Sequence, residues 1–173
     1  MRLMILGAGG YGRTVADVAK QSGEYDRIDF LDDDLTRDGV LGCCADWRCY
    51  RGSETFFYPA FGNNSSRLAW IERLVNEGFR VPSLIHKTAY ISPTVEIGSG
   101  VVILPHATIN TDVVIEDGCL INCGAIIDHG CHIERGCHIG LGAMIKGQNR
   151  IAAFTVVEAG QIIQRGNYRV RKD

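Results

Sequence analysis

The 173-residue sequence predicts two units in series. Residues 1–80 read as an α/β unit with a parallel sheet, and residues 81–173 as a left-handed parallel β-helix. Three observations predict this. Isoleucine returns at every sixth position through the C-terminal half. A glycine-rich turn joins an apolar strand to a helix at the N-terminus. Between them, at Val81-Pro82, mixed strand and helix spacings give way to the repeat of six.

The first unit alternates strands and helices. Leu3 to Leu6 is a short apolar strand. Residues Gly12 to Gln21 carry Val15, Ala16, Val18 and Ala19 and run into Gly23, a helix stop signal. Ile28 to Leu31 is a second strand, closed by the turn-forming run Asp32-Asp33-Asp34. Phe56 to Phe61 is a third. Leu68, Ile71, Leu74 and Val75 have helical spacing within Arg67 to Glu77, before Gly78. Strands alternating with helices predict a parallel sheet.

The second unit obeys another rule. Ile85, Ile91, Ile97, Ile103, Ile109, Ile115, Ile121, Ile127, Ile133, Ile139, Ile145 and Ile151 are spaced by six without a slip, and Val157 and Ile163 continue the series. A helical period or an alternating strand explains none of this; a parallel β-helix does. Each hexapeptide makes one flat strand and one corner, so three make a turn of roughly 18 residues, and about four coils are expected. The isoleucine points inward. So does the small residue four places later: Ala89, Val95, Val101, Ala107, Val113, Cys119, Ala125, Cys131, Cys137 and Ala143. Cys119, Cys131 and Cys137 therefore read as buried small hydrophobes. Glycine before many of these positions permits a positive φ at the corner.

Composition bounds the function. Apolar residues make up 46% and charged residues 22%, which suits a folded globular chain. Net charge is −2 and there is no run of Lys and Arg, so neither a nucleic-acid nor a membrane partner is expected. The opening MRLMILGAGG does not read as a signal peptide, and seven cysteines without framework spacing suit a reducing cytoplasm.

Gly7-Ala8-Gly9-Gly10-Tyr11-Gly12 matches G-x-G-x-x-G between a strand and a helix, with Asp32 twenty residues beyond Gly12. Glycine lets backbone N–H groups approach a phosphate at a helix N-terminus. Some 80 residues form only half of a doubly wound fold, so a mononucleotide or nucleotide-sugar is favoured over NAD; a turn used only for packing stays open. Phe61-Gly62-Asn63-Asn64 with Arg67 is a second strand-to-helix turn, expected at the same sheet edge.

His129, His132 and His138 lie within ten residues. Zinc would need its ligands to converge on one point. His132 and His138 share a repeat position on adjacent prism faces, so no metal site is expected within one chain. His129 falls two places after Ile127, at an outward position beside Asp128, where an imidazole can take a proton from an attacking amine or hydroxyl. A solvated surface histidine is the alternative.

GAGGYGR, FLDDD, AFGNNSSR, LIHKTAYISP and INCGAIIDHGCHIERGCHIGLGA, in this order, resemble the bacterial sugar acetyltransferases, hexapeptide-repeat enzymes typified by sialic acid O-acetyltransferases and the UDP-4-amino-sugar N-acetyltransferases of bacillosamine synthesis. The resemblance implies an acetyl-CoA-dependent enzyme with a Rossmann-like nucleotide-sugar domain. It implies that His129 is the general base, with Asn122 preceding it in an N-x6-H segment, and that His138 contacts acetyl-CoA. Gly142, Ala143 and Ala159 are expected on the cofactor side, with a backbone N–H near Gly142 or Ala143 steadying the oxyanion. Gly9, Gly10 and Tyr11 would line the nucleotide-sugar site, with Asp32 and Asp33 near uridine and Gly62 from the second turn. Homotrimers with the site between adjacent β-helices are implied as well.

Three positions depart from the family pattern. Gly130 stands where a carboxylate often follows the base, leaving Asp128, Glu134 or a neighbouring subunit to orient it. Tyr11 stands where histidine is frequent. The coils end early, on Arg165, Arg169, Arg171 and Lys172, which either meet CoA phosphates or solubilise the end. The expected reaction is direct transfer to an amino group of a UDP-linked sugar. O-acetylation of sialic acid or a similar sugar, a zinc-dependent carbonic anhydrase of β-helical type, and a non-catalytic trimeric nucleotide-binding scaffold are the alternatives.

Overall fold

A computed structural model describes residues 1–165. The chain divides into two compact units, Met1–Leu84 and a second that begins at Ile85.

The first unit is built on a three-stranded parallel sheet in the order β2-β1-β3: β1 is Arg2–Leu6, β2 is Arg27–Leu31 and β3 is Thr55–Pro59. Leu3 to Leu6 are fully buried on both sides of the central strand, as a parallel strand between covered faces requires. Helix α1 (Gly10–Ser22) ends at Gly23, whose φ of 74° and N–H to Lys20 O form a left-handed cap. Helix α2 (Asn64–Asn76) begins where the Asn63 side chain accepts the Ser66 N–H. The third strand is shorter than its apolar run implied. It stops at Pro59, and Ala60 to Asn63 become the turn and cap. A 3-10 helix over Cys44–Tyr50 had no sequence signal, because no apolar period marks it. It is fixed from outside: Trp47 is fully buried against Phe57, Trp70 and Phe79.

The second unit is the left-handed β-helix, with fourteen two-residue strands from Leu84–Ile85 to Ile162–Ile163. They stack in parallel on three faces. The first face holds Leu84–Ile85, Val102–Ile103, Leu120–Ile121, His138–Ile139 and Val156–Val157. The second holds Tyr90–Ile91, Thr108–Ile109, Ile126–Ile127, Met144–Ile145 and Ile162–Ile163. The third holds Glu96–Ile97, Val114–Ile115, His132–Ile133 and Arg150–Ile151. Partners differ by eighteen residues, one coil: Leu120 pairs with His138 and Ile121 with Ile139. The isoleucines and the small residues four places later form one core. Cys119, Cys131 and Cys137 lie within it, fully buried, their thiols donating to the carbonyls of Glu134, Lys146 and Ala152. Only the ends of the ladder are open: Ile85 is 40% exposed and Ile163 partly buried. Among the described residues, no helix is long and apolar enough to cross a membrane.

Candidate active site

The corner after Ile126–Ile127 carries Asp128 and His129. Ile127 and Cys131 point inward and are fully buried, which forces Asp128, His129 and Gly130 around the outside. Gly130 turns the chain with φ 63° and donates its N–H to Thr111 O. Asp112, one coil earlier, takes the same left-handed turn with φ 57°, so the backbone alone does not dictate glycine at 130.

The His129 side chain is 53% exposed, and its Nε2 lies 3.9 Å from Asp128 Oδ2. Asp128 is itself held. Its Oδ1 accepts the His129 N–H at 2.8 Å and Asn110 Nδ2 at 3.0 Å, and its Oδ2 accepts the Gly147 N–H at 3.2 Å. The His129 N–H is the main cause that holds this carboxyl below its usual range. Asp128 is therefore a fixed, ionised carboxylate beside the imidazole, too far for a direct hydrogen bond. Glu134, the other carboxylate in this chain named for that role, is committed elsewhere. It accepts the Ala153 N–H at 2.8 Å and pairs with Arg150.

Asn122 is joined to His138 rather than to His129. Its Oδ1 accepts the Cys123 N–H at 2.8 Å, which fixes the amide orientation and turns Nδ2 toward His138 Nε2 at 3.2 Å. An amide N–H can only donate, so Nε2 accepts and the His138 ring proton sits on Nδ1. His132 takes no part: its Nε2 lies 2.6 Å from Glu116 Oε1 on the third face.

The two N–H groups expected near the oxyanion both have partners within the chain. Gly142 donates its N–H to Cys123 O at 2.9 Å, and Ala143 donates to Gly140 O at 3.1 Å with its methyl group fully buried. Both N–H groups are held in the coil-to-coil network, as corner backbone must be. Ala159 is exposed on the next coil. Of the basic C-terminal residues, Arg165 bonds Gln148 Oε1, while Arg169, Arg171 and Lys172 lie outside the described residues.

The α/β unit has its own cluster, at the carboxyl ends of β1 and β2. Gly12 is dictated by space: a Cβ there would sit 2.0 Å from Gly7 O. Gly9 precedes α1 without a side-chain cap, so the helix turns uncapped N–H groups outward, suited to an anion. Asp32 braces this turn. Its Oδ2 accepts the Ala8 N–H at 2.6 Å and its Oδ1 the Asp34 N–H at 2.9 Å. Asp33 accepts the Cys44 N–H at 2.9 Å, tying in the 3-10 helix. Tyr11 turns its hydroxyl onto that of Tyr58 at 2.8 Å, and burial pushes its phenol up to about 12, so it stays protonated. A Cβ on Gly62 would meet nothing within 4 Å.

Sequence reasoning missed Arg37. Its guanidinium lies 3.6 Å from Asp32 and 3.2 Å from Asp34, and its Nη1 is 2.8 Å from where a Gly9 Cβ would stand. It belongs to an irregular segment without a period, and only the acidic run before it hinted at a counter-charge. Arg67, named with the second turn, is fully buried and donates to Phe61 O and Asn64 Oδ1.

Residues 2–74 match the PglD N-terminal domain family. The acetyltransferase domain of PglB from Neisseria gonorrhoeae, solved with acetyl coenzyme A, is 33% identical over 95% of this chain and 82% of that one, with a TM-score of 0.91. A mutant perosamine N-acetyltransferase from Caulobacter crescentus, solved with CoA and GDP-perosamine, is 28% identical over 95% and 89%, with a TM-score of 0.85. PerB from the same organism, with the same ligands, is 27% identical over 98% and 92%, with a TM-score of 0.84. With a relative 33% identical over 95% of this chain, the chain belongs to the bacterial sugar acetyltransferases.

Proposed function

We propose that this chain transfers an acetyl group from acetyl-CoA to an amino group of a nucleotide-linked amino sugar, with His129 as general base. The observation that carries this reading is the His129 corner: an accessible imidazole beside an anchored, ionised carboxylate. The sugar amine attacks the thioester carbonyl. As the N–C bond forms, His129 takes the amine proton; the C–S bond then breaks and the proton passes to the departing thiolate. No acyl-enzyme is required. Cys131, the nearest buried thiol, is pushed up by burial and points into the core. His138, braced by Asn122, is assigned to the acetyl-CoA side.

The α/β unit is assigned to the nucleotide-sugar, its diphosphate at the uncapped start of α1 beside Gly9 and Gly10. We read the nucleotide as UDP. The GDP-perosamine complex of the Caulobacter enzyme makes a GDP-sugar the rival.

A homotrimer fits the outer column of the second face. There Tyr90, Thr108, Ile126, Met144 and Ile162 stack in register; the four apolar ones are 39–57% exposed, and Ile126 lies in the strand that leads to His129. Such a stripe suits a buried subunit contact. The cysteines of the described structure are all free, which suits a reducing cytoplasm.

The test pairs thermal shift with activity. UDP-, GDP- and CMP-sugars are compared with and without acetyl-CoA, and acetyl transfer is followed for wild type and His129→Ala. We expect stabilisation by UDP-sugars and a loss of about 10²–10⁴-fold in rate for the variant. A wild-type rate in His129→Ala removes the base assignment, and a response to GDP-sugars alone changes the nucleotide.

A further inference from the structure

The residue one coil beyond His129 is Gly147, and its place in the corner is unusual. At the corner Asp128-His129-Gly130, the residue with positive φ is Gly130. At the next corner, Lys146-Gly147-Gln148, the residue with positive φ is Gln148, at 60°, while Gly147 lies outside the left-handed region. Glycine thus stands where the backbone does not need it, one residue before the position that would favour it. A glutamine in the left-handed conformation costs roughly 1–2 kcal/mol relative to the ordinary one.

Space explains the inversion. A Cβ on Gly147 would lie 2.8 Å from His129 Nε2, 2.9 Å from its Cε1 and 3.2 Å from Asp128 Oδ2. The ε edge of the imidazole rests directly over the bare Cα of Gly147. The same dipeptide holds the rest of the corner. Gly147 donates its N–H to Asp128 Oδ2 at 3.2 Å, and Gln148 donates to His129 O at 2.9 Å. The column of residues one coil apart reads Pro93, Thr111, His129, Gly147 and Arg165, so the gap in side chains falls immediately above the histidine.

We infer that Gly147 is a positioning residue: its missing side chain is the seat on which the His129 imidazole lies, beside the carboxylate that the Gly147 N–H also fixes. This rests on His129 as the base. Any side chain at 147 displaces the ring without touching the core, because the inward residues of that corner are Ile145 and, beyond it, Asn149.

The experiment compares wild type, Gly147→Ala and His129→Ala with acetyl-CoA and UDP- and GDP-linked amino sugars as acceptors. For Gly147→Ala we expect kcat to fall about a hundredfold, the scale that a misplacement of about 1 Å costs. KM for acetyl-CoA should stay within about twofold, separating a displaced base from a damaged binding site. Imidazole NMR of His129, recorded without acceptor, should show its ring nitrogens shifted in Gly147→Ala. A wild-type kcat in Gly147→Ala, or unmoved His129 resonances, overturns the inference, as does a loss confined to KM. A wild-type rate in His129→Ala instead overturns the base reading, and the NMR comparison still reads whether Gly147 seats the ring.

Discussion

Along the β-helix, a residue's surroundings follow from its place in a repeat of six. Ile103, Ile121 and Ile139 are one coil apart on one face and are all fully buried. The α/β unit has no such rule. Its polar groups are held by single, unrepeated contacts: Asp32 by the Ala8 N–H, Tyr11 by Tyr58, Arg67 by Phe61 O and Asn64. The difference matters for finding function. In a repeat, a special site shows as a departure, such as an imidazole on an outer corner or a glycine one residue out of place. In the α/β unit there is no baseline to depart from, so each side chain's role is visible only from its partners.

The sharpest test of this contrast is the ladder. Ile103→Ala, Ile121→Ala and Ile139→Ala should each cost about 2–5 kcal/mol in urea unfolding, because each leaves a cavity in a closed prism. Ile163, only partly buried at the open end, should cost clearly less. Equal costs at Ile121 and Ile163 would break the rule that place in the repeat sets the environment.

A smaller effect tests the unrepeated contacts. Asp32→Ala leaves the N–H groups of Ala8 and Asp34 without their carboxylate and releases Arg37 from one of its two partners. A loss of about 1.5–3 kcal/mol is expected, the range for hydrogen bonds to a charged group. Nucleotide-sugar binding should weaken as well, because the glycine-rich turn loses its brace. A variant as stable as wild type would show that the turn holds its shape without Asp32.

Sequence alone reached these two regions to different depths. The fourteen-step ladder, the inward cysteines and the outward corner of His129 follow from one geometric fact, that every sixth residue faces the same way. The strands and helices of the α/β unit were legible from apolar spacing, and the stop at Gly23 from glycine itself, which takes a left-handed φ there. The 3-10 helix was not, because Trp47 is fixed by Phe57, Trp70 and Phe79, which are distant in sequence. The site divides similarly. Corner membership placed His129, but the pairing of Asn122 with His138 depends on side-chain rotamers across a coil. The engagement of the Gly142 and Ala143 N–H groups depends on backbone direction, which residue type does not encode. Gly147 is the intermediate case. Its place eighteen residues after His129 was countable, while its significance required the φ of Gln148 and the position of the ring.

The smallest expected effect concerns Tyr11, where the unrepeated contact is between two hydroxyls. Burial raises the Tyr11 phenol from 10.0 to about 12, with the charge of Arg67 and the Tyr58 bond acting in the opposite direction. The folded protein therefore keeps a proton that the unfolded chain gives up near 10. Stability from this group is fully present below about pH 10 and is lost as pH rises through about 12, because the unfolded state then binds fewer protons. Tyr11→Phe should flatten that alkaline limb in urea unfolding, since no proton remains to be retained. Tyr58→Phe should leave the limb in place, because burial, its main cause, is unchanged. It should cost only about 0.5–1.5 kcal/mol near neutrality, the net value of one hydrogen bond. If Tyr58→Phe flattened the limb as fully as Tyr11→Phe, the hydroxyl pair rather than burial would control Tyr11. The two tyrosines would then act as a unit, as the residues of a β-helix corner do.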